Sequence, residues 1–199
     1  MEWLTELDEE LRPLGPVPRE VAHREGRLHG VVHCWVVSRR AEETRVWFQQ
    51  RAHEKRDFPD YFDIAVGGHI DAGESRDAAA LREMGEEIGL TPEPSRLRYL
   101  GHTREDLRVG DFFDREVGYV YLYEDPAPDF HPGEEVSRMI WVSLEELVRR
   151  EVEGADTITA HDAGGKPFLT GKADWCVHPG EFVKVVLPGL QAEGKERLE

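Results

Sequence analysis

The sequence predicts an α/β/α sandwich built as a single α/β domain, and three observations predict it. The chain has 199 residues, 39% of them apolar, which is enough to bury one core. Short runs of β-branched and aromatic residues recur between turn residues, as strands do. Two or three segments among them carry helical spacing with start or stop signals of their own, so strands and helices are mixed along the chain. No internal repeat, low-complexity tract or linker divides it, and residues 1–199 are read as one unit.

Residues 1–21 are an N-terminal hairpin or extension. Trp3, Leu4, Leu7 and Leu11 suit a short amphipathic helix, but Pro13, Pro16 and Pro18 follow at once. From these residues alone, a two-stranded hairpin turning near Asp8–Glu10 stays open beside that helix. Leu28–Val37 is a strand and Val46–Arg51 its partner across a polar turn. A charged loop broken by Pro59 leads to a short buried strand over Asp63–Gly68. A helix follows, with Ser75 placed to cap its start and Gly89 to end it in a left-handed conformation. Ala78, Leu81, Met84 and Ile88 form its apolar stripe. Residues 97–103 and Glu116–Tyr123 are two more strands, then a proline-rich loop leads to a strand over Met139–Val142. There Ser143 and Glu146 make a capping box for the next helix. Gly154–Lys172 reads as loop, and Pro179 opens a final short helix.

The stretch Gly68–Leu90 carries the chemistry. Glu83, Glu86 and Glu87 lie at i, i+3 and i+4, so a helix puts three carboxylates on one face. Arg82 is the one basic neighbour on that face. Several carboxylate oxygens are what a hard divalent cation requires, although a solvated acidic face has the same pattern. The full spacing is more specific than the triplet. Gly68, Glu74, Arg82, Glu83, Met84, Glu86, Glu87, Gly89 and Leu90 fill every fixed position of G-x5-E-x7-R-E-U-x-E-E-x-G-U, where U is aliphatic. The stretch, residues 68–90, therefore resembles the Nudix box.

That resemblance implies a Nudix-type α/β/α sandwich with a mixed sheet, and hydrolysis of a diphosphate linkage with Mg²⁺ or Mn²⁺ as cofactor. Glu83, Glu86, Glu87 and the Gly68 carbonyl would be metal ligands. Arg82 would orient the carboxylates, and Glu74 would brace the loop against the helix.

A second resemblance covers roughly Arg19 to Trp141. The runs VAHREGRLHGVVHCWVV and QQRAHEKRDFPDYFDIAVGGHIDAGE look like type I isopentenyl-diphosphate isomerase and its hydrolase relatives. The isomerase's metal-binding histidines fall on His23, His29 and His69, with the first two spaced one residue closer than in the isomerase pattern. Its late acidic pair falls on Asp114 and Glu116, and its diphosphate-holding bases on Arg51 and Lys55. Arg51 and Lys55 also suit ordinary solvated bases. Glu116 is read as a further metal ligand or general base, the alternative being an exposed strand carboxylate. His33 is read as a satisfied core or lining histidine rather than a ligand, and Trp175 as either a pocket cap or a core residue. The isomerase carries a cysteine before the first box glycine, whereas this chain has Gly67. Isomerases also tend to give up box acids that this chain keeps. Both departures point to hydrolysis.

Composition narrows the partners. A net charge of −16 argues against nucleic acid and anionic membranes. Cys34 and Cys176 are too few for a disulfide framework or zinc site and suit free thiols in a reducing cytosol. The start lacks the basic and apolar regions of a signal peptide, and no apolar run reaches membrane-spanning length, so a cytoplasmic location is expected. The expected partner is a small-molecule diphosphate, and a homodimer is left open. The expected function is a metal-dependent pyrophosphohydrolase acting on a nucleoside diphosphate or related diphosphate-linked compound. Isopentenyl-diphosphate isomerisation and an inactive nucleotide-sensing domain are the alternatives.

Overall fold

The computed structural model describes residues 2–41, 43–109 and 112–196. Met1 and residues 197–199, the ends of the expected unit, lie outside the described residues. The expected hairpin forms from β1 (Trp3–Leu7) and β2 (Pro13–Pro18), with the Asp8 carboxylate accepting from the backbone N–H of Glu10 and Arg12 across the turn. A short helix that the sequence did not announce, α1 (Arg19–Glu25), follows at once. It buries only Ala22 and His23, so it has no apolar stripe to read.

Strand β3 (His29–Arg39) is the centre of the sheet. It is buried almost along its whole length, as its Val- and Trp-rich sequence requires. It pairs in parallel with β8 (Phe112–Glu124) and antiparallel with β4 (Thr44–Arg51). The other pairings are antiparallel, so the sheet is mixed, with 11 strands among the described residues. β3 and β4 stay paired only from Val36↔Trp47 to Arg39↔Thr44. Beyond that they part, and the strand expected over Asp63–Gly68 fills the gap as two pieces. β5 (Phe62–Ile64) pairs with β4, and β6 (Val66–His69) pairs with β3. The chain changes partner at Ala65, and this delivers Gly67, Gly68 and His69 to the mouth of the split.

Helix α2 (Arg76–Ile88) starts and stops where the sequence places it. The Ser75 hydroxyl accepts from Ala78 N–H, and Gly89 adopts φ 61°. The apolar stripe is turned from the expected one. Ala78 is exposed and Leu81 only half-buried, while Ala79, Ala80, Met84 and Ile88 are buried, and Glu87 turns inward with them. Met84 and Ile88 each contribute about 1.5–3 kcal/mol by burial. They pack against Val32, Cys34 and Val36 of β3 and against Tyr121 and Tyr123 of β8. The proline-rich loop then covers the helix end, where His131 N–H donates to the Ile88 carbonyl and Gly133 N–H to the Glu87 carbonyl.

Strands β7 (Leu97–Val109) and β8 are longer than the sequence reading. After β9 (Val136–Ser143), Ser143 caps α3 (Leu144–Glu151) by accepting from Glu146 N–H. The Glu146 carboxylate, which the expected capping box would turn back to Ser143 N–H, accepts from Thr159 N–H at 2.7 Å. The stretch Gly154–Lys172, expected to be loop, contains the hairpin β10 (Thr157–Asp162) and β11 (Pro167–Gly171). The Thr-Ile-Thr-Ala alternation buries Ile158 and Ala160 and adds the hairpin to β9 at the sheet edge. The final helix is present, as a π-helical stretch over Phe182–Val186 running into α4 (Leu187–Glu196). α2 covers one face of the sheet, while α3 and the C-terminal helix cover the other through Leu147, Phe182, Val186 and Leu190. The result is the α/β/α sandwich. Among the described residues, no helix is long and apolar enough to cross a membrane.

Gly89 is held by geometry as well as by φ. A Cβ there would lie 2.0 Å from the His131 carbonyl oxygen, which is fixed backbone. Gly89→Ala is therefore expected to cost at least about 2 kcal/mol, measured by denaturant unfolding, because both the left-handed conformation and the loop cover are lost.

Candidate active site

The split between β3 and β4 opens into a cavity of about 970 Å³ lined by residues from α1, β6, α2, β8 and the segment before the C-terminal helix. Its wall carries most of the residues singled out from the sequence. On α2, Glu83 and Glu86 meet Arg82 Nη1 at 2.6 and 3.0 Å. The Arg82 fork also takes both oxygens of Glu74, at 3.0 and 2.8 Å, and Nη2 donates to the His69 carbonyl. One planar guanidinium thus ties the box loop, the end of β6 and the acidic helix together. Gly68 is pressed against this group: a Cβ would lie 2.1 Å from the Glu83 carboxyl carbon.

Glu87 is the most buried of the three acids. Its Oε2 accepts from Gly67 N–H and from Gln49 Nε2, both at 3.0 Å. Burial, aided by the charges of Glu83, Asp63 and Glu135, pushes its pKa up to about 8. Burial also raises Glu83. The three acids line one wall of the cavity and present there the carboxylate oxygens that a hard divalent cation requires, although their oxygens do not converge as closely as the ligand atoms of the histidine group.

A second group stands beside the first. His23, His29, His69 and Glu116 each offer a ligand atom within 4.8 Å of the others. The closer spacing of His23 and His29 does not separate them, because α1 ends in a left-handed Gly26 that returns the chain to β3, leaving the two rings 5.0 Å apart. His29 Nδ1 donates to the Arg27 carbonyl at 2.9 Å, which leaves Nε2 as the ring's lone pair. His69 Nδ1 faces Glu2 at 3.1 Å, and its Nε2 lies 3.7 Å from Glu116. His29 Nε2, His69 Nε2 and Asp114 Oδ1 are buried without hydrogen-bond partners. Orphaned lone pairs aimed at a common point fit a metal ion. Glu116 is held at about 2, since the close approach of His29 and the nearby histidine charges outweigh its burial. Burial and the Glu116 charge raise Asp114.

Arg51 and Lys55 line the cavity but are not free bases. Arg51 pairs with Asp63 at 3.3 Å and donates to the Asp57 carbonyl, and Lys55 pairs with Glu135 at 2.5 Å. Trp175 is both of the things expected of it. It is buried against Phe48 and Phe62 and also lines the cavity. Sequence reasoning missed Asp63, Glu105, His178 and Glu181. His178 Nε2 meets Asp63 at 2.8 Å and Nδ1 meets Glu105 at 3.2 Å, while His33 Nδ1 meets Glu181 at 2.7 Å. His33 is thus satisfied, and it lines the cavity. Burial opposes the protonation of His178, but the two carboxylates prevail and raise it well above its ordinary value. The histidine within CVHPGEF was a signal that could have been followed, but partners more than 70 residues away were not legible.

The NUDIX domain family profile matches residues 27–162. The chain belongs to the Nudix family. Over 200 residues it is 32% identical to an uncharacterised Nudix hydrolase of Clostridium acetobutylicum, covering 95% of this chain and 97% of that one. It is 30% identical over 155 residues to a protein of Pectobacterium atrosepticum named isopentenyl-diphosphate Delta-isomerase, covering 77% of this Nudix chain and 83% of that one. This supports the isomerase-like subgroup. The crystal structure of the Deinococcus radiodurans protein DR0079 superposes with a TM-score of 0.54 at 26% identity, covering 77% of this chain and 90% of that one. A MutT/nudix family protein of Enterococcus faecalis shares the fold at a TM-score of 0.51 and 20% identity, over 71% of this chain and 51% of that one.

Glu87 sets a pH signature for this Nudix chain. An acid raised by folding stabilises the fold at low pH and loses that contribution as pH climbs through its folded value, here about 8. The raised histidines His29, His33 and His178 act in the same sense. Asp63, Glu116 and Glu181, each held at about 2, have finished titrating by then. In chelator, the melting temperature should fall from about pH 6 to about pH 9. Glu87→Gln should flatten part of that fall; an unchanged slope would contradict the burial of an acid there.

Proposed function

We propose that the chain is a divalent-metal-dependent pyrophosphohydrolase that cleaves a diphosphate linkage in a nucleoside diphosphate or a related small molecule. Nudix proteins generally depend on a divalent metal. The observation that carries the reading is that Glu83, Glu86, Glu87 and Gly68 line one cavity wall, Glu83 against Gly68, with no side chain at Gly67 to move a proton at carbon. Those three acids and the Gly68 carbonyl would hold Mg²⁺ or Mn²⁺. Such an ion, when bound, supplies neutralising charge for the diphosphate and a water of lowered pKa.

The chain's own residues prepare the rest. Arg82 Nη1 bridges Glu83 and Glu86, and the rest of the guanidinium fixes Glu74. Gln49 and Gly67 N–H fix one oxygen of Glu87. Arg51 and Lys55 bring positive charge to an otherwise acidic cavity and would meet the diphosphate, each already positioned by its acidic partner. His23, His29, His69 and Glu116 would hold a further ion. A carboxylate held at about 2 is a poor base near neutral pH, so Glu116 is better suited to ligating than to taking a proton from water.

Isomerisation of isopentenyl diphosphate is the second reading, favoured by the isomerase-named relative and by the histidine group. Neither thiol replaces the one missing at Gly67. Cys34 is buried, and burial pushes the Cys176 thiol up.

With Mg²⁺ present, phosphorus and proton NMR of nucleoside di- and triphosphates, sugar nucleotides and isopentenyl diphosphate should reveal chelator-sensitive phosphate or monophosphate release. Olefin shifts without release would favour isomerisation, and no change with any substrate would favour a nucleotide sensor. Glu86→Gln and Glu87→Gln should each lower turnover by orders of magnitude in a folded protein, and retained turnover would sink the assignment. Gly67→Cys should fold, because a Cβ there meets only the Ile64 side chain at 3.6 Å, and it should not isomerise on its own.

A further inference from the structure

Beyond the box acids and the His23–His29–His69 group, another set of ligating side chains converges on the cavity. His33 on β3, Glu105 on β7 and His178 before the C-terminal helix each offer a ligand atom within 4.8 Å of the other two. All three line the same cavity as Glu83 and Glu87.

Each histidine has one ring nitrogen anchored by a carboxylate. His33 Nδ1 is held by Glu181, itself fully buried and fixed by Trp35 Nε1 at 2.7 Å and Thr103 Oγ1 at 3.0 Å. His178 Nε2 is held by Asp63, which also accepts from Ile64 N–H and pairs with Arg51. The anchors leave His33 Nε2 and His178 Nδ1 for a ligand. A carboxylate behind a histidine fixes its tautomer, sets its ring plane and raises its basicity, as it does for histidines that ligate metals. His178 Nδ1 and Glu105 Oε1 are 3.2 Å apart. Two tetrahedral ligands about 2.0–2.1 Å from one ion would stand at a similar separation.

We propose that His33, Glu105 and His178 form a binding site for a divalent transition metal of the zinc type. Two imidazoles and one carboxylate favour such an ion over Mg²⁺, which prefers all-oxygen octahedral surroundings. Three protein ligands leave a coordination position directed to the cavity. Binding replaces the proton that His178 shares with Glu105, and that proton leaves to solvent. The ion would tie β3, β7 and the segment before the C-terminal helix, which come from widely separated parts of the chain. The proposal does not depend on hydrolysis, and its test needs no turnover.

The full chain, stripped with chelator, is titrated with Co²⁺ while visible absorbance and bound metal per chain are followed. Crystals soaked in Co²⁺ are measured for anomalous scattering. The expected result is an anomalous peak between His33, Glu105 and His178, separate from any at His23, His29 and His69. His178→Ala and Glu105→Gln should each remove that peak and lower the tight Co²⁺ count by one, whereas His29→Ala should leave the peak in place. Glu105→Gln keeps the anchored histidines intact should His178→Ala fail to fold. Absence of the peak at saturating Co²⁺, or an unchanged count in folded Glu105→Gln, overturns the proposal.

Discussion

Arg82 reaches four groups at once: the carboxylates of Glu74, Glu83 and Glu86, and the carbonyl of His69. In a chain of net charge −16, acids on adjacent helical turns would repel unless a cation stood among them. A lysine would satisfy one or two of these acceptors from a flexible stem, whereas the guanidinium satisfies them in one plane. Burial, with the neighbouring acids adding to it, leaves Glu83 and Glu87 raised. A cavity wall that holds carboxylates in place without fully neutralising them is prepared for a further cation. On the proposed reading, the guanidinium that steadies the fold here would also shape the metal site.

The sheet makes this wall possible by coming apart. Had β3 and β4 remained paired along their lengths, the space filled by β5 and β6 would not exist. Because they part beyond Val36↔Trp47, the chain can cross at Ala65 and lay Gly67 and Gly68 along β3. With no side chain at Gly68, α2 comes close enough for Glu83 to rest on it and for Glu87 to accept from Gly67 N–H. The histidines arrive by register. His29 lies opposite Glu116 in the parallel pair with β8, and His69 lies opposite Val31 in the pair with β6. Acids from a helix and histidines from strands thus meet at one mouth.

How much of this was legible depended on how local each signal was. Ser75 and Gly89 bounded α2 correctly because a cap and a left-handed stop are decided within one turn of helix. The rotation of that helix was not legible, since Ala78, Ala79 and Ala80 are equally apolar and only the surrounding sheet selects which are buried. The β10–β11 hairpin was hidden by Gly and Asp content, although the alternation through Ile158 and Ala160 was there to be read. The histidine group was reached through resemblance, and its shortened spacing is absorbed by α1 and Gly26. The pairs His33–Glu181 and His178–Asp63 join residues 148 and 115 positions apart, and no local pattern encodes such contacts.

Gly67 is where two chemistries on one scaffold part. Packing does not exclude a side chain there, because a Cβ would make only ordinary contact with Ile64. The choice is therefore chemical. A thiol at that position would put a proton donor at the cavity wall, which suits transfer at carbon. A bare backbone leaves that space open, and on the proposed reading a diphosphate and water would take it. On the proposed reading, α2 carries the acids that would hold the ion for hydrolysis, while Gly67 offers no side chain to move a proton at carbon. A site with the histidine group and open space at Gly67 is suited to attack at phosphorus rather than to transfer at carbon.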